Sequence, residues 1–424
     1  MQTRVLVPSG VLGLGFDPDA LARGVAANPD IIAIDGGSTD SGPFYLGTST
    51  SKYSRSVCRD EWRQLLEARA TAGVPLVIGS CGTCGTAETV DWMFAITCEL
   101  AAELGQTLRV ARLYSDVPIE TLRVARDSGR ISPLHPAQTI DDAALEAMTN
   151  IVALAGAEQI QAAIHTGADV VLAGRATDTA TIAALPLARG AHSGAAWHGA
   201  KIAECGAFCT TRPASGVVMV TFDEAGFTVT PMGEGVRCTP QSVAAHMLYE
   251  NSDPWILYEP GGHLDVTAAT YTEAAQDGVR VVGAVWVAAG DYRVKLEGAR
   301  LVGYQTMMLA VIRDPRYVEA VADWADRLLL HCRGLITASL DLQDDAFDIE
   351  LRLIGVNSVL GCLERDRGSP VEVGVMLLIT ADDQTLATEI AAVINPHLLH
   401  YPLTDDEPMP TFAFPVSPVH SNRG

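Results

Sequence analysis

The sequence predicts an α/β N-terminal domain with a mostly parallel sheet and flanking helices, followed by a C-terminal α+β domain with a mixed or antiparallel sheet. Three observations predict it. Short continuous apolar runs alternate with helix-length stretches through the first half, the pattern of a sheet buried on both faces. Near Arg212-Pro213 the character changes and hairpin signals take over. Apolar residues make up 48% of the 424, which supplies large cores, and that length exceeds one typical domain. The expected division is 1–212 and 213–424, the second part completing a cleft on the first.

In order, Arg4 to Pro8 reads as a strand, and Asp17-Pro18-Asp19 as a helix start with Asp17 as the cap. Ile31 to Ile34, β-branched and bounded by turn residues, is a buried strand. A helix over 56–72 stops at Gly73, a strand follows over 75–79, and a helix over 86–104 stops at Gly105. Strands over 108–114, 151–155 and 169–172 alternate with helices over 119–128 and 159–166. A helical region then runs from Thr179 to about Cys209. Beyond it, 217–221 and 227–230 form a hairpin around Asp223-Glu224-Ala225-Gly226. Strands over 279–287, 292–296, 347–354 and 371–380 enclose helices over 317–332 and 384–394, and the tail from Pro402 is extended.

A net charge of −22 leaves no basic stripe to neutralise phosphates, so nucleic acid is excluded as a partner, and anionic membranes are not attractive to it. No long uncharged apolar stretch occurs. Nine cysteines, an odd number scattered in apolar and glycine-rich segments, fit a reducing compartment, and the expected location is cytoplasmic. Homo-oligomerisation is expected from base rates alone.

Three polar, glycine-bearing loops follow three apolar strands and point to one cleft at the strand ends. The first holds Asp35, Gly36, Gly37, Ser38, Thr39, Asp40 and Ser41; the second holds Gly82 and Thr83; the third holds Arg175 and Asp178. Asp35 and Asp40 read either as a proton-handling or cation-holding pair, or as caps of a turn and a helix. Arg175 suits bidentate binding of an anion, or an internal pair with Asp178. His198, Lys201 and Glu204 recur at helical spacing, as bases and binding groups or as core and solvated face. Glu259 precedes the forced turn Pro260-Gly261-Gly262, while Lys295 and Glu297 share a strand face where they can pair with each other or handle a proton. Tyr304 is expected to support the site. Cys81 and Cys84 lack the further ligands of a zinc set, so no metal site is assigned. No complete GxGxxG or Walker loop is present, which leaves the cofactor unknown: a divalent cation is possible, and there is no nicotinamide or flavin signature.

Segments across the chain resemble one family in order. They are Val5 to Gly10, Asp35 to Pro43, Val171 to Asp178, Trp197 to Gly206, Cys238 to His246, Leu248 to Asn251, Glu259 to Gly262, Val294 to Ala299, Val302 to Gln305 and Phe412 to Pro415. By these the chain is similar to the acyclic terpene utilisation protein A family. The resemblance implies catabolism of branched acids as CoA thioesters, with hydration or dehydration chemistry. Some members carry a ferredoxin-like appendage that is not recognisable here, which implies a small ferredoxin-like partner chain.

The leading expectation is a hydratase or dehydratase acting on a branched carboxylate or its CoA thioester. Asp35, Asp40, His198, Glu259, Lys295 and Glu297 are its acid/base candidates. Arg175 and the glycine loops would hold the anion, and N–H groups near Gly37 or Gly82 would meet the enolate oxygen. A ligand-binding or scaffold subunit that needs its small partner is a second reading, and an ATP-dependent ligase or kinase a third.

Overall fold

The computed structural model describes residues 2–134, 140–366, 368–407 and 413–423, the last as backbone only. The chain forms two compact units, Met1–Leu301 and Val302–Gly424. The break is therefore not at residue 212, because strands beyond that point enter the same sheet as the N-terminal strand.

The first unit contains fourteen strands among the described residues: β1 (Thr3–Val7), β2 (Ile31–Asp35), β3 (Leu76–Gly79), β4 (Val110–Leu113), β5 (Met148–Ala153), β6 (Val170–Ala173) and β7 (Val218–Phe222), then β8 (Gly226–Pro231), β9 (Ile256–Glu259), β10 (Gly262–Asp265), β11 (Thr270–Glu273), β12 (Val279–Val282), β13 (Val285–Ala288) and β14 (Leu296–Arg300). Nine of them form one sheet in the order β11-β12-β8-β7-β1-β2-β3-β6-β4. Pairing is parallel from β1 to β4 and antiparallel from β1 through β7, β8 and β12 to β11. Every residue of β2, β3 and β6 is buried, as their continuous apolar sequence requires. One face packs under the helices Ala157–His165, Asp178–Ala188 and Ser193–Ala203. The other packs under Pro18–Ala26, Arg55–Ala72 and Ala87–Glu103, where Trp62, Leu65 and Met93 meet Ile32, Ile34 and Ile78. Each fully buried aliphatic side chain contributes about 1.5–3 kcal/mol relative to exposure.

The expected strand over 151–155 does not join the parallel sheet. It is β5, half-exposed, and it pairs antiparallel with β14 in a separate two-stranded ladder. The single strand expected over 279–287 is two, broken at Gly283, whose φ of +94° turns the chain close to the Ala268 carbonyl. The turn expected at Pro260-Gly261 closes a β9–β10 hairpin that joins β13 in a three-stranded sheet.

The second unit runs β15 (Tyr304–Ile312), helices Pro315–Glu319 and Val321–Leu340, β16 (Phe347–Ile354), β17 (Val373–Ala381), helix Gln384–His400 and β18 (Ala413–Arg423). The sheet order is β16-β17-β15-β18, antiparallel throughout. This is the β-α-β-β-α-β arrangement of the ferredoxin-like split, so a ferredoxin-like unit, expected on a separate small chain, is found within this chain. Strict alternation along β15 and β17 buries Met308, Ala310, Val375 and Leu377 against Trp324, Leu328 and Ile390 of the helices. The tail expected to be merely extended supplies β18; residues 408–412 lie outside the described residues.

Candidate functional site

The loops after β2, β3 and β6 meet. Gly36 N donates to Gly79 O at 2.8 Å, Ser80 N to Gly174 O at 2.9 Å, and Arg175 N to Gly85 O at 3.0 Å. A Cβ on Gly36 would lie 2.6 Å from Ser80 O, and one on Gly85 would overlap the Arg175 backbone, so glycine is required at both contacts. Ser80 and Thr83 adopt positive φ (44° and 79°) to make the same crossing.

Arg175 lies at the centre of this junction, 6% exposed. Its Nε donates to Glu297 Oε2 at 2.9 Å and its Nη2 to Oε1 at 3.4 Å; Nη1 donates to Ser80 Oγ at 3.0 Å and to Ala176 O at 3.1 Å. Asp178 is 3.8 Å from the same guanidinium. Glu297 reaches Arg175 because β14 pairs with β5, and it also accepts from Thr39 Oγ1 at 2.9 Å and from Lys295 Nζ at 2.8 Å. Burial opposes the charge of Glu297, but Arg175 and Lys295 overcome it and hold the carboxyl down at about 2. Burial likewise opposes the guanidinium, while Glu297 and Asp178 hold its pKa above the usual arginine value. The role expected of Arg175, gripping a substrate anion, is thus taken by an internal carboxylate: the guanidinium braces three loops. Lys295 and Glu297 form an ion pair, with Glu297 buried and Lys295 half-exposed.

A cleft of about 430 Å³ opens beside this brace, with Arg175, Asp178, Thr177 and Thr179 on one wall. Asp40, Leu154, Lys201, Glu204, Glu250 and Glu259 complete it. Asp178 is the first residue of its helix, capped by Thr177, and burial raises its carboxyl to about 6 against the pull of Arg175. Glu259, at the end of β9, accepts a hydrogen bond from the Thr179 hydroxyl. Burial lifts Glu259 to about 7, partly offset by Thr179, and Asp178 lifts it further. Lys201 donates to Glu204 and to Tyr249 O, the latter at 2.8 Å. Burial raises Glu204 to about 8 despite Lys201. Asp35 sits behind Arg175, 4% exposed, with Oδ2 accepting from Gly37 N at 2.8 Å and Oδ1 buried without a partner. Burial, then Asp178, raise its pKa well above the usual carboxylate range, against the pull of Arg175.

Other expected site residues have structural work. His198 lies in the core with its Nε2 3.2 Å from Tyr271 OH and its ring edge on Phe227; burial lowers its pKa to about 3. It is not on the cleft. Asp35 and Asp40 differ in environment, since Asp40 is exposed and accepts from Ser38 Oγ at 2.7 Å. Ser41 accepts from Lys52 Nζ and Thr83 Oγ1 from Lys52 N, both at 3.0 Å. The Gly37 N–H is committed to Asp35 and so is not a free oxyanion donor. Gly82 (φ +61°) turns under Thr89, while Gly261 and Gly262 form the β9–β10 turn. Tyr304 begins β15, in the second unit. Glu250, Thr177, Thr179 and Leu154 were not expected on the cleft. The threonines flank Asp178 in the third loop and were legible there as hydroxyls beside a carboxylate. Leu154, an ordinary apolar residue, gives no such signal.

The profile described as Acyclic terpene utilisation family protein AtuA matches residues 45–404. That span includes every cleft residue except Asp40, together with most of the second unit. No curated protein and no solved structure matches the chain. No helix among the described residues is long and apolar enough to cross a membrane.

Proposed function

The chain belongs to the acyclic terpene utilisation family, and from that premise we propose that it is an acid/base lyase that adds or removes water beside the carbonyl of a branched acyl thioester. The observation that carries this reading is a pair of carboxyls on one cleft, Asp178 at about 6 and Glu259 at about 7, the latter accepting a hydrogen bond from the hydroxyl of Thr179, the residue next to Asp178. Two titratable groups pushed to neighbouring values around neutrality are the equipment of general acid–base catalysis. At neutral pH Asp178 is mostly ionised and serves as the base toward water or an α-proton. Glu259, lifted further than Asp178, keeps its proton more readily and serves as the acid.

The charge of the cleft favours a thioester over a free acid. Asp40, Asp178, Glu204, Glu250 and Glu259 face Lys201 and an Arg175 already neutralised by Glu297. A carboxylate at the reacting end would be repelled there, whereas a thioester carbonyl carries no charge.

The test is turnover of branched 2-enoyl and 3-hydroxyacyl thioesters, followed by the conjugated enoyl absorbance. Hydration or dehydration is expected, with kcat/KM bell-shaped in pH around limbs near 6 and 7. Glu259→Gln and Asp178→Asn are expected to lower kcat by about 10²–10⁴-fold. Absence of turnover with both thioester classes, or unchanged rates in both variants, sinks the proposal.

A further inference from the structure

We propose that Glu204, Cys205 and His246 form a binding site for a borderline-soft divalent cation of the zinc type. A carboxylate oxygen, the Cys205 sulfur and a ring nitrogen of His246 all lie within 4.8 Å of one another. In a tetrahedral zinc site ligand atoms sit roughly 3.5 Å apart, given metal–ligand bonds of about 2.0–2.3 Å. Closing the set therefore draws together atoms that now lie up to 4.8 Å apart. The mixed oxygen, sulfur and nitrogen set suits zinc or cobalt and not magnesium or calcium, which take oxygen ligands.

A second observation points to a ligand. His246 is 5% exposed, and its Nε2 is buried with no hydrogen-bond partner. A buried imidazole nitrogen normally has one. The ring is stacked on Tyr249, centroids 5.3 Å apart and 12° between planes, which fixes its orientation.

The backbone around the three residues is held tightly. Cys205 follows the helix Ser193–Ala203, and the chain turns at once at Gly206 (φ +57°). A Cβ on Gly10 would lie 2.9 Å from Cys205 Cα, so the neighbouring strand end presses directly on it. His246 ends the helix Pro240–His246, which is tied to the same region by Ser242 Oγ donating to Cys209 O at 2.8 Å.

Glu204 also borders the cleft, so solvent can supply the remaining position and leave the ion with an open coordination site. Lys201 holds one carboxylate oxygen of Glu204, and the other remains for the metal. Binding forms one sulfur–metal bond and releases the thiol proton to water.

This inference stands apart from the lyase reading, and its test reads metal rather than turnover. The full chain is stripped with chelator and titrated with Co²⁺. One equivalent is expected to bind, with a thiolate-to-cobalt charge-transfer band in the near ultraviolet and a d–d band of tetrahedral intensity. Zinc is expected to displace it. In Cys205→Ser the charge-transfer band is expected to vanish, and His246→Ala is expected to weaken affinity at least tenfold. Circular dichroism establishes that each variant is folded. Wild-type protein without a charge-transfer band, or with one that persists in folded Cys205→Ser, overturns the proposal. If Cys205→Ser does not fold, folded His246→Ala decides: a weakened band supports the site, and an unchanged band and affinity overturn it.

Discussion

Arg175 and Glu297 are a buried ion pair 122 residues apart in sequence. Such a pair is costly to leave half-made, because the surviving charge stays desolvated. Arg175→Ala is expected to destabilise the first unit by about 3–5 kcal/mol in chemical denaturation. A loss below 1 kcal/mol would mean that the loops are braced by their backbone bonds alone. Glu259 makes the opposite contribution to pH dependence. Its folded pKa of about 7 lies above the reference value of 4.5. The folded chain therefore keeps a proton that the unfolded chain releases, and stability from this group is present below the unfolded value and lost as pH rises through about 7. The melting temperature of Glu259→Gln, compared with the parent at each pH, is expected to fall less steeply from pH 4.5 to 7. Parallel curves would place the carboxyl in solvent. His198, lowered to about 3, works the other way, losing stability as pH falls below its unfolded value, and it cancels in that comparison. At this scale the sequence was informative about which residues gather and less so about what they do. Asp178 and Glu259 were legible as carboxylates beside turns. Nothing in Arg175 itself revealed that Glu297 would occupy it, because the strand that delivers Glu297 pairs with β5, a partnership that local sequence does not encode.

The parallel strands were legible because continuous Val/Ile runs between turn residues have only one buried environment to enter. Short strands carrying mixed polar and apolar residues were harder: β11, with threonines and an exposed face, has no strong period. β15 went unrecognised although its alternation is regular, since its methionines, leucine and alanine suit a helix equally well. Elements are joined at the site by glycine contacts, and these give a sharp expectation. Gly36→Ala puts a methyl group 2.6 Å from Ser80 O, against backbone that cannot rotate away. A destabilisation of about 1–3 kcal/mol is expected from such overpacking. Activity on any substrate should fall with it, since the same crossing positions Asp35 and Arg175. A variant as stable as the parent would show that the β2 and β3 loops yield easily.

At the scale of the molecule, each unit has its own core, and the second is a self-contained split βαβ arrangement. Trp324 is fully buried there, with Nε1 donating to Tyr401 O at 3.0 Å. Trp324→Ala is expected to cost about 3–5 kcal/mol. Hydrogen exchange should then quicken over 302–424 and leave β2, β3 and β6 protected. Exchange that quickens equally in both regions would show one cooperative unit. The unit boundary was misplaced from the sequence because a hairpin signal at 217–230 looks like the start of a new domain, whereas β7 simply extends the sheet beside β1.

The distance along the chain between Arg175 and Glu297 also matters on the ribosome. Synthesis proceeds at about 5–20 residues per second, so the guanidinium is made roughly 6–24 s before its carboxylate. Throughout that interval the nascent β-α-β layers must either leave the guanidinium to the more distant Asp178 carboxylate, 3.8 Å away, or keep the seam wet and unlocked. The full brace on the third loop therefore waits for β14, the strand that delivers Glu297.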